Sequence, residues 1–475
     1  MRRLGMAACI AAMLVPGIGG LGRQWSEASA SEGGVVLPGT IAGDRAAAYF
    51  RAFNSGSEDS VRKFFEENVT KSSLEARPIE DRLAIHRRLK GDLGTLTPVK
   101  IVTAAEDALT VIAHSSTDKW VQMVFDLEKE PPQGITGMGI RLLPAPPDLD
   151  EPTTPLTRAQ LQVELRAYVD SLVKRDEFSG VVLVAEGDKP FLKEAYGLAS
   201  KEYGVPNRTD TRFNLGSINK FITQIAIEQL AGKGWVSLDD KIGKHLGDYP
   251  NKDAAAKVTI RHLLDMTSGI GDFFGERFAA TPKNEIRDLA DYLPLFASEP
   301  LLFEPGTDSR YSNGGYVVLG LIVEQVSGRT YFDYVHENVY AVAGMTKTGH
   351  LEADVPADNV ASGYTYNWGE GEQAGETRRS NIYSRPARGS SAGGGYSTAD
   401  DLLSLITALR AGTLSAPMAA ATVSGRGTAL AGGAPGINAF LATAGSYVIV
   451  VLSNYDPPAA MNVGEKAQRL VGRLD

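Results

Sequence analysis

Ser217 and Lys220 stand three residues apart in Phe213-Asn214-Leu215-Gly216-Ser217-Ile218-Asn219-Lys220, ahead of a helix predicted to run to about Lys233. Three residues on a helix bring both side chains to one face, within hydrogen-bonding reach. Serine is a poor nucleophile until a base removes its proton. Lysine can be that base only with a lowered pKa, which burial at the base of a cleft favours. At the helix start, Ser217 also turns its oxygen toward the positive end of the helix dipole. Alone, the pair reads more simply as a serine that caps the helix and a lysine solvated in its first turn.

Other short motifs offer rival chemistry. Gly389-Ser390-Ser391-Ala392-Gly393 spells the G-x-S-x-G turn of α/β-hydrolases, which needs an apolar strand before the serine and a histidine after it. Pro386 and polar residues precede Ser391 and no histidine follows His350, so the segment does not fit that role. The six histidines are scattered, and His336-Glu337 has no second histidine four residues on, so neither metal nor cofactor is expected. Gly393-Gly394-Gly395 reads as turn formation.

Two domains are expected to position these residues, since 475 residues exceed what one core usually supports. Residues 42–95 read as helices. Ala46, Ala47, Tyr49, Phe50 and Phe53 form one periodic set, and Val61, Phe64 and Phe65 a second behind Ser57 as cap. Ile79, Leu83, Ile85 and Leu89 form a third. Strands follow at Val99–Val102, Leu109–Ile112, Trp120–Phe125 and Ile135–Leu143. This small α+β unit, 42–143, loosely resembles the cone-shaped domains related to nuclear transport factor 2 and the polyketide cyclases. Its lone His86 and His114 read as structural. Residues 144–155, rich in Pro and acid, read as a stiff linker.

Beyond the linker, a helix (Leu156 to Val173) leads into a hairpin turning at Glu186-Gly187-Asp188-Lys189. The chain closes with a second hairpin around Ala444-Gly445-Ser446 and a final amphipathic helix. The segments between are mostly helical. One antiparallel sheet built from both ends of residues 156–475, around an all-α insert, is the expected frame.

Neighbouring segments decide the meaning of Ser217 and Lys220. Thr259 to Ile270, Phe303-Glu304-Pro305-Gly306-Thr307, Tyr311-Ser312-Asn313 with Gly314 to Gly320, Ala392 to Leu402, and Gly432 to Gly436 follow in that order. This series resembles the class C β-lactamase, esterase and D-aminopeptidase superfamily, a relative of the penicillin-binding proteins, over about residues 157–475. The resemblance implies an α+β, β-lactamase/transpeptidase-like fold, with Ser217 acylated and Lys220 sharing its proton. Tyr311 would complete the relay to the leaving group, and Asn313 would hold the substrate or Lys220. The N–H groups of Ser217 and of a late-strand residue near Gly433 would form an oxyanion hole, with Gly432 and Gly433 lining the substrate. His262 falls in a framework segment.

The third motif of that superfamily, Lys-Thr-Gly or His-x-Gly, aligns with Leu430-Ala431-Gly432, so Leu430 replaces the group that orients a substrate carboxylate. Lys347-Thr348-Gly349 spells the motif but lies far from the final hairpin and is expected to be structural. Leu414 to Thr428 is shorter than usual, which leaves room for one strand fewer. These departures favour small-molecule ester, amide or peptide substrates over true β-lactam defence. The alternative is a catalytically weak protein that binds peptidoglycan fragments or β-lactams. A third reading gives the N-terminal unit a ligand-binding role.

A net charge of −9 offers no attraction to nucleic acid or an anionic membrane. Arg2 and Arg3, an apolar run from Leu4 to Met13, and Ala28-Ser29-Ala30 read as an export signal over residues 1–30, placing the protein in the periplasm or outside the cell. The run is shorter than the roughly 20 residues needed to span a bilayer, so no stable anchor is expected. Cys9, the single cysteine, falls inside that segment.

Overall fold

A computed structural model describes residues 35–76, 78–117, 119–143, 154–366, 377–424 and 428–474. The expected export segment lies outside them, as do residues 144–153 of the linker. Two compact units fall on either side of that stretch.

In the first unit, α1 (Ile41–Ser55), α2 (Glu58–Asn68), α3 (Lys71–Ala76) and α4 (Ile79–Leu93) precede an antiparallel sheet. Its strands β1 (Leu96–Ala104), β2 (Ala108–Ser115), β3 (Trp120–Leu127) and β4 (Ile135–Leu143) lie in sequence order. Thr40 and Ser57 cap α1 and α2 by accepting from backbone N–H groups of the first turn. Tyr49, Phe50 and Phe53 of α1 meet Phe64 and Phe65 of α2 over Leu109, Val111, Met123 and Phe125 of the sheet. Ile85 of the third periodic set is exposed, because two residues along a helix from buried Leu83 is more than half a turn away. His86 packs edge-on to Phe53 and His114 stacks on Trp120.

The second unit opens with α5 (Arg158–Lys174), then β5 (Gly180–Glu186) and β6 (Lys189–Tyr196). The long helices of the region that follows are α6 (Asn219–Gly232), α7 (Asn313–Ser327) and α8 (Ala399–Arg410). Strands β7 (Thr428–Ala434), β8 (Ile437–Ala444) and β9 (Tyr447–Ser453) then join the first hairpin, and α9 (Ala459–Val471) closes the unit. The sheet order is β7-β8-β9-β5-β6, antiparallel throughout. Between Leu414 and Thr428 the described chain forms a helix, Pro417–Ser424, and no strand.

Alternation along the strands separates two cores. Val182, Val184, Phe440, Ile449 and Val451 face α5 and α9, while Val181, Leu183, Leu441, Val448 and Val450 face the helical region. Each of these buried side chains contributes about 1.5–3 kcal/mol, which makes the sheet a fixed floor. A two-residue strand, Phe213–Asn214, pairs with Tyr396–Ser397 and ties the segment before Ser217 to that floor's helical cover. Among the described residues no helix is long and apolar enough to cross a membrane.

Candidate active site

Ser217 lies in a single 3₁₀ turn, Gly216–Ile218, that runs into α6. Neither helix start uses a side-chain cap, so its hydroxyl is not spent on the backbone. Tyr311 donates its phenol to Ser217 Oγ across 2.6 Å, and Lys220 Nζ reaches the same oxygen at 3.3 Å. The amine and the two hydroxyls expected to converge do so.

Lys220 is buried, not solvated. Its Nζ donates to Asn313 Oδ1 and to the Ala392 carbonyl, both at 2.6 Å, and lies 4.7 Å from the Tyr311 ring centroid. With Ser217 Oγ these make three acceptors, matching the three N–H bonds of a protonated amine. Burial raises the Tyr316 phenol well above its ordinary range, with Tyr311 adding to it, so the second ring beside Lys220 stays neutral.

Asn313 opens α7 behind Ser312, whose Oγ accepts from Gly315 N at 2.8 Å and donates to the Gly271 carbonyl at 2.9 Å. Asn313 Nδ2 donates to Asp272 Oδ2 at 2.7 Å. Sequence reasoning misses Asp272, because a lone acid after Gly271 carries no motif.

The G-x-S-x-G segment is part of this site, as scaffold and not as nucleophile. Ser391 Oγ is buried and donates to the Tyr316 carbonyl at 2.8 Å, while Thr223 of α6 donates to the Ser391 carbonyl at 2.6 Å. Those bonds aim the Ala392 carbonyl at Lys220. Further along, Gly395 N donates to Asn219 Oδ1 at 2.9 Å, and Asn219 Nδ2 meets His350 Nε2 at 3.0 Å. His350 is buried, and desolvation, helped by the Arg388 charge, pulls its pKa down to about 3. A neutral imidazole is therefore built into the frame behind the Ser217–Lys220 helix.

Gly432 and Gly433 of β7 press against the backbone that carries Ser217. A Cβ on Gly432 would stand 2.0 Å from the Leu215 carbonyl oxygen and 2.8 Å from Ser217 N. Likewise a Cβ on Gly216, at φ +51°, would meet Gly433 N at 2.8 Å. Only glycine allows this approach. Leu430 pairs with Leu441, shares the strand face of Gly432 and packs half-buried against the helical-side core.

A family model described as Beta-lactamase matches residues 165–448, a span that holds every one of these groups. The chain belongs to the Beta-lactamase family. Among its relatives, Penicillin-binding protein 4* of Bacillus subtilis is 33% identical over 208 residues, 43% of this chain and 45% of that protein. Esterase EstB of Burkholderia gladioli is 31% identical over 289 residues, 55% of this chain and 74% of that protein. The chain thus spans less than half the length of the first relative and about three quarters of the second. A penicillin-binding protein from Bacillus halodurans superposes with TM-score 0.56 at 29% identity, covering 64% of this chain and 98% of that one. The D-amino acid amidase of Ochrobactrum anthropi SV3 shares the fold, with TM-score 0.55 at 20% identity over 66% of this chain and 98% of that one.

Within this member of the Beta-lactamase family, the other candidates are framework. Lys347 pairs with Asp210 at 3.0 Å, and Thr348 Oγ1 lies 2.7 Å from both Ser397 Oγ and Asp401 Oδ2. His262 closes a capping box with Thr259. No cluster of metal-binding side chains occurs among the described residues.

Proposed function

We propose that this protein is an exported serine hydrolase that works through an acyl-enzyme on small esters or amides. The observation that carries the reading is the convergence of Tyr311 OH and Lys220 Nζ on Ser217 Oγ, at 2.6 and 3.3 Å. Ser217 Oγ attacks the substrate carbonyl from the state in which Tyr311 is a phenolate stabilised by the Lys220 cation. The serine proton passes along the short contact to that oxygen, making it a phenol. The phenol then protonates the departing alcohol or amine as the C–O or C–N bond breaks. Water repeats the sequence in reverse and frees the acid. Because Lys220 is surrounded by three acceptors, its role is that of a cation beside the developing negative charge, and the proton acceptor is Tyr311. The N–H groups of Ser217 and Gly433, on abutting backbones, are the oxyanion donors of this scheme.

Leu430 offers no charge to a substrate carboxylate, which favours neutral acyl groups over β-lactams. The esterase among the relatives supports the same choice. Leu430 also favours a second reading, in which the site acylates slowly and serves to bind peptidoglycan fragments or β-lactams. Incubation with a fluorophosphonate or fluorescent penicillin probe, followed by an ester and amide panel, tests both. Labelling lost in Ser217→Ala, with turnover of neutral esters, is the expected result. Stable labelling without turnover selects the binding protein, and equal labelling of Ser217→Ala retires the covalent mechanism. Export is tested by fractionation of cells expressing the full chain.

A further inference from the structure

We infer that Asp272 is a positioning residue: it fixes which end of the Asn313 amide faces Lys220. This rests on the acyl-serine reading above. An amide has an accepting oxygen and a donating nitrogen of nearly equal size, and its partners decide which way it points. Asp272 Oδ2 lies 2.7 Å from Asn313 Nδ2 and 3.5 Å from Asn313 N. A carboxylate only accepts, so Nδ2 must face Asp272, and Oδ1 must face Lys220 Nζ, 2.6 Å away. Reversal would set NH2 against the amine, donor against donor, and remove one of the two short acceptors that hold Lys220.

Asp272 is itself held. Its Oδ1 accepts from Phe274 N at 3.0 Å, and the preceding Gly271 carbonyl accepts from Ser312 Oγ at 2.9 Å. Gly314 packs so closely on that carbonyl that a Cβ would stand 2.5 Å from it. The loop bearing Asp272 and the start of α7 bearing Asn313 are therefore one clamped unit.

The clamp makes a polarity swap decisive. In Asp272→Asn the Phe274 N–H retains the new amide's oxygen, so its NH2 points at Asn313 and forces the reversal. In Asn313→Asp two carboxylates face each other. In the double variant, Asn at 272 donates to Asp at 313, whose second oxygen accepts from Lys220, and the original sense returns.

Wild type, both single variants and the double variant are compared in steady-state hydrolysis of p-nitrophenyl acetate and in thermal unfolding. Each single variant is expected to lose about 10- to 100-fold in kcat with KM within about 2-fold, the worth of one hydrogen bond to a charged group. The double variant is expected to recover to within about 5-fold of wild type. Wild-type kcat in Asp272→Asn, or a double variant no better than Asn313→Asp, overturns the assignment. If Asp272→Asn does not fold, the comparison of Asn313→Asp with the double variant decides the same question. Thermal coupling between the two positions in a wild type that turns over no substrate retires the acyl-serine reading alone. Wild-type turnover without rescue retires the polarity role alone.

Discussion

The backbone carbonyl of Ala392 accepts from Lys220 Nζ across 2.6 Å, so a turn distant in sequence helps to set the lysine that contacts Ser217. That carbonyl cannot be mutated away, but the side chains that aim it can. Ser391→Ala removes the bond to the Tyr316 carbonyl. It is expected to cost about 1 kcal/mol of stability and to slow acylation several-fold with the turn displaced. Urea unfolding and probe-labelling rates check both, and unchanged labelling would show that Ala392 holds its place without Ser391.

Tyr311→Phe deletes only the oxygen that meets Ser217 Oγ. General acid–base groups contribute about 100- to 10,000-fold, so kcat for ester hydrolysis is expected to fall by that factor. Because Tyr311 is only part-buried, the melting temperature should barely move. A variant within about 3-fold of wild type would reassign the proton to Lys220.

Gly432→Ala places a methyl group where the Leu215 carbonyl oxygen already stands. Overpacking of this kind costs about 1–3 kcal/mol, and here it separates β7 from the backbone of Ser217. Loss of most activity together with lower stability is expected. Gly445→Ala, in the open β8–β9 turn, meets nothing within 4 Å and should lose only the strain of φ +57°. Parallel activity and thermal-unfolding assays of the two variants give the comparison.

Leu430→Lys puts a cation on the strand face that Gly432 shares. A charge-assisted bond to a carboxylate is worth about 1.5–3 kcal/mol, so acylation by a penicillin should rise about 10-fold or more relative to a neutral ester. Equal ratios in wild type and variant would place the substrate carboxylate elsewhere.

His350 should leave a signature in the pH dependence of stability. Its pKa falls from an unfolded value of 6.5 to about 3 in the folded protein, chiefly through burial. The unfolded chain therefore binds the extra proton, and stability is lost as pH falls below 6.5, continuing toward 3. The slope from this one group approaches about 1.4 kcal/mol per pH unit. Urea titrations at about pH 7, 6 and 5 should show a shallower decline in His350→Gln than in wild type, and identical slopes would contradict the buried neutral imidazole.

Much of the frame was legible because strand and helix patterns are local. The unbroken apolar run from Val181 to Ala185 and the turns at Gly187 and Gly445 marked two hairpins, which the structure joins into one sheet. Tyr49, Phe50 and Phe53 marked the inner face of α1 for the same reason. Ile85 misled because a single apolar residue in a weakly periodic helix does not say which face is buried.

In the sequence, the short spacing of a helical turn picked out Ser217 and Lys220, and the resemblance of the ordered segments to the superfamily added Tyr311 and Asn313. Only the tertiary structure decided what surrounds them. Asp272, the Ala392 carbonyl, and the Asn219–His350 pair enter the site through contacts spanning 41, 172 and 131 residues of chain. Such contacts leave no local pattern, since a backbone carbonyl is the same in every residue and a lone acid looks like any other. The lysine's three acceptors, and with them the sharing of roles between Lys220 and Tyr311, exist only once the chain has closed around it.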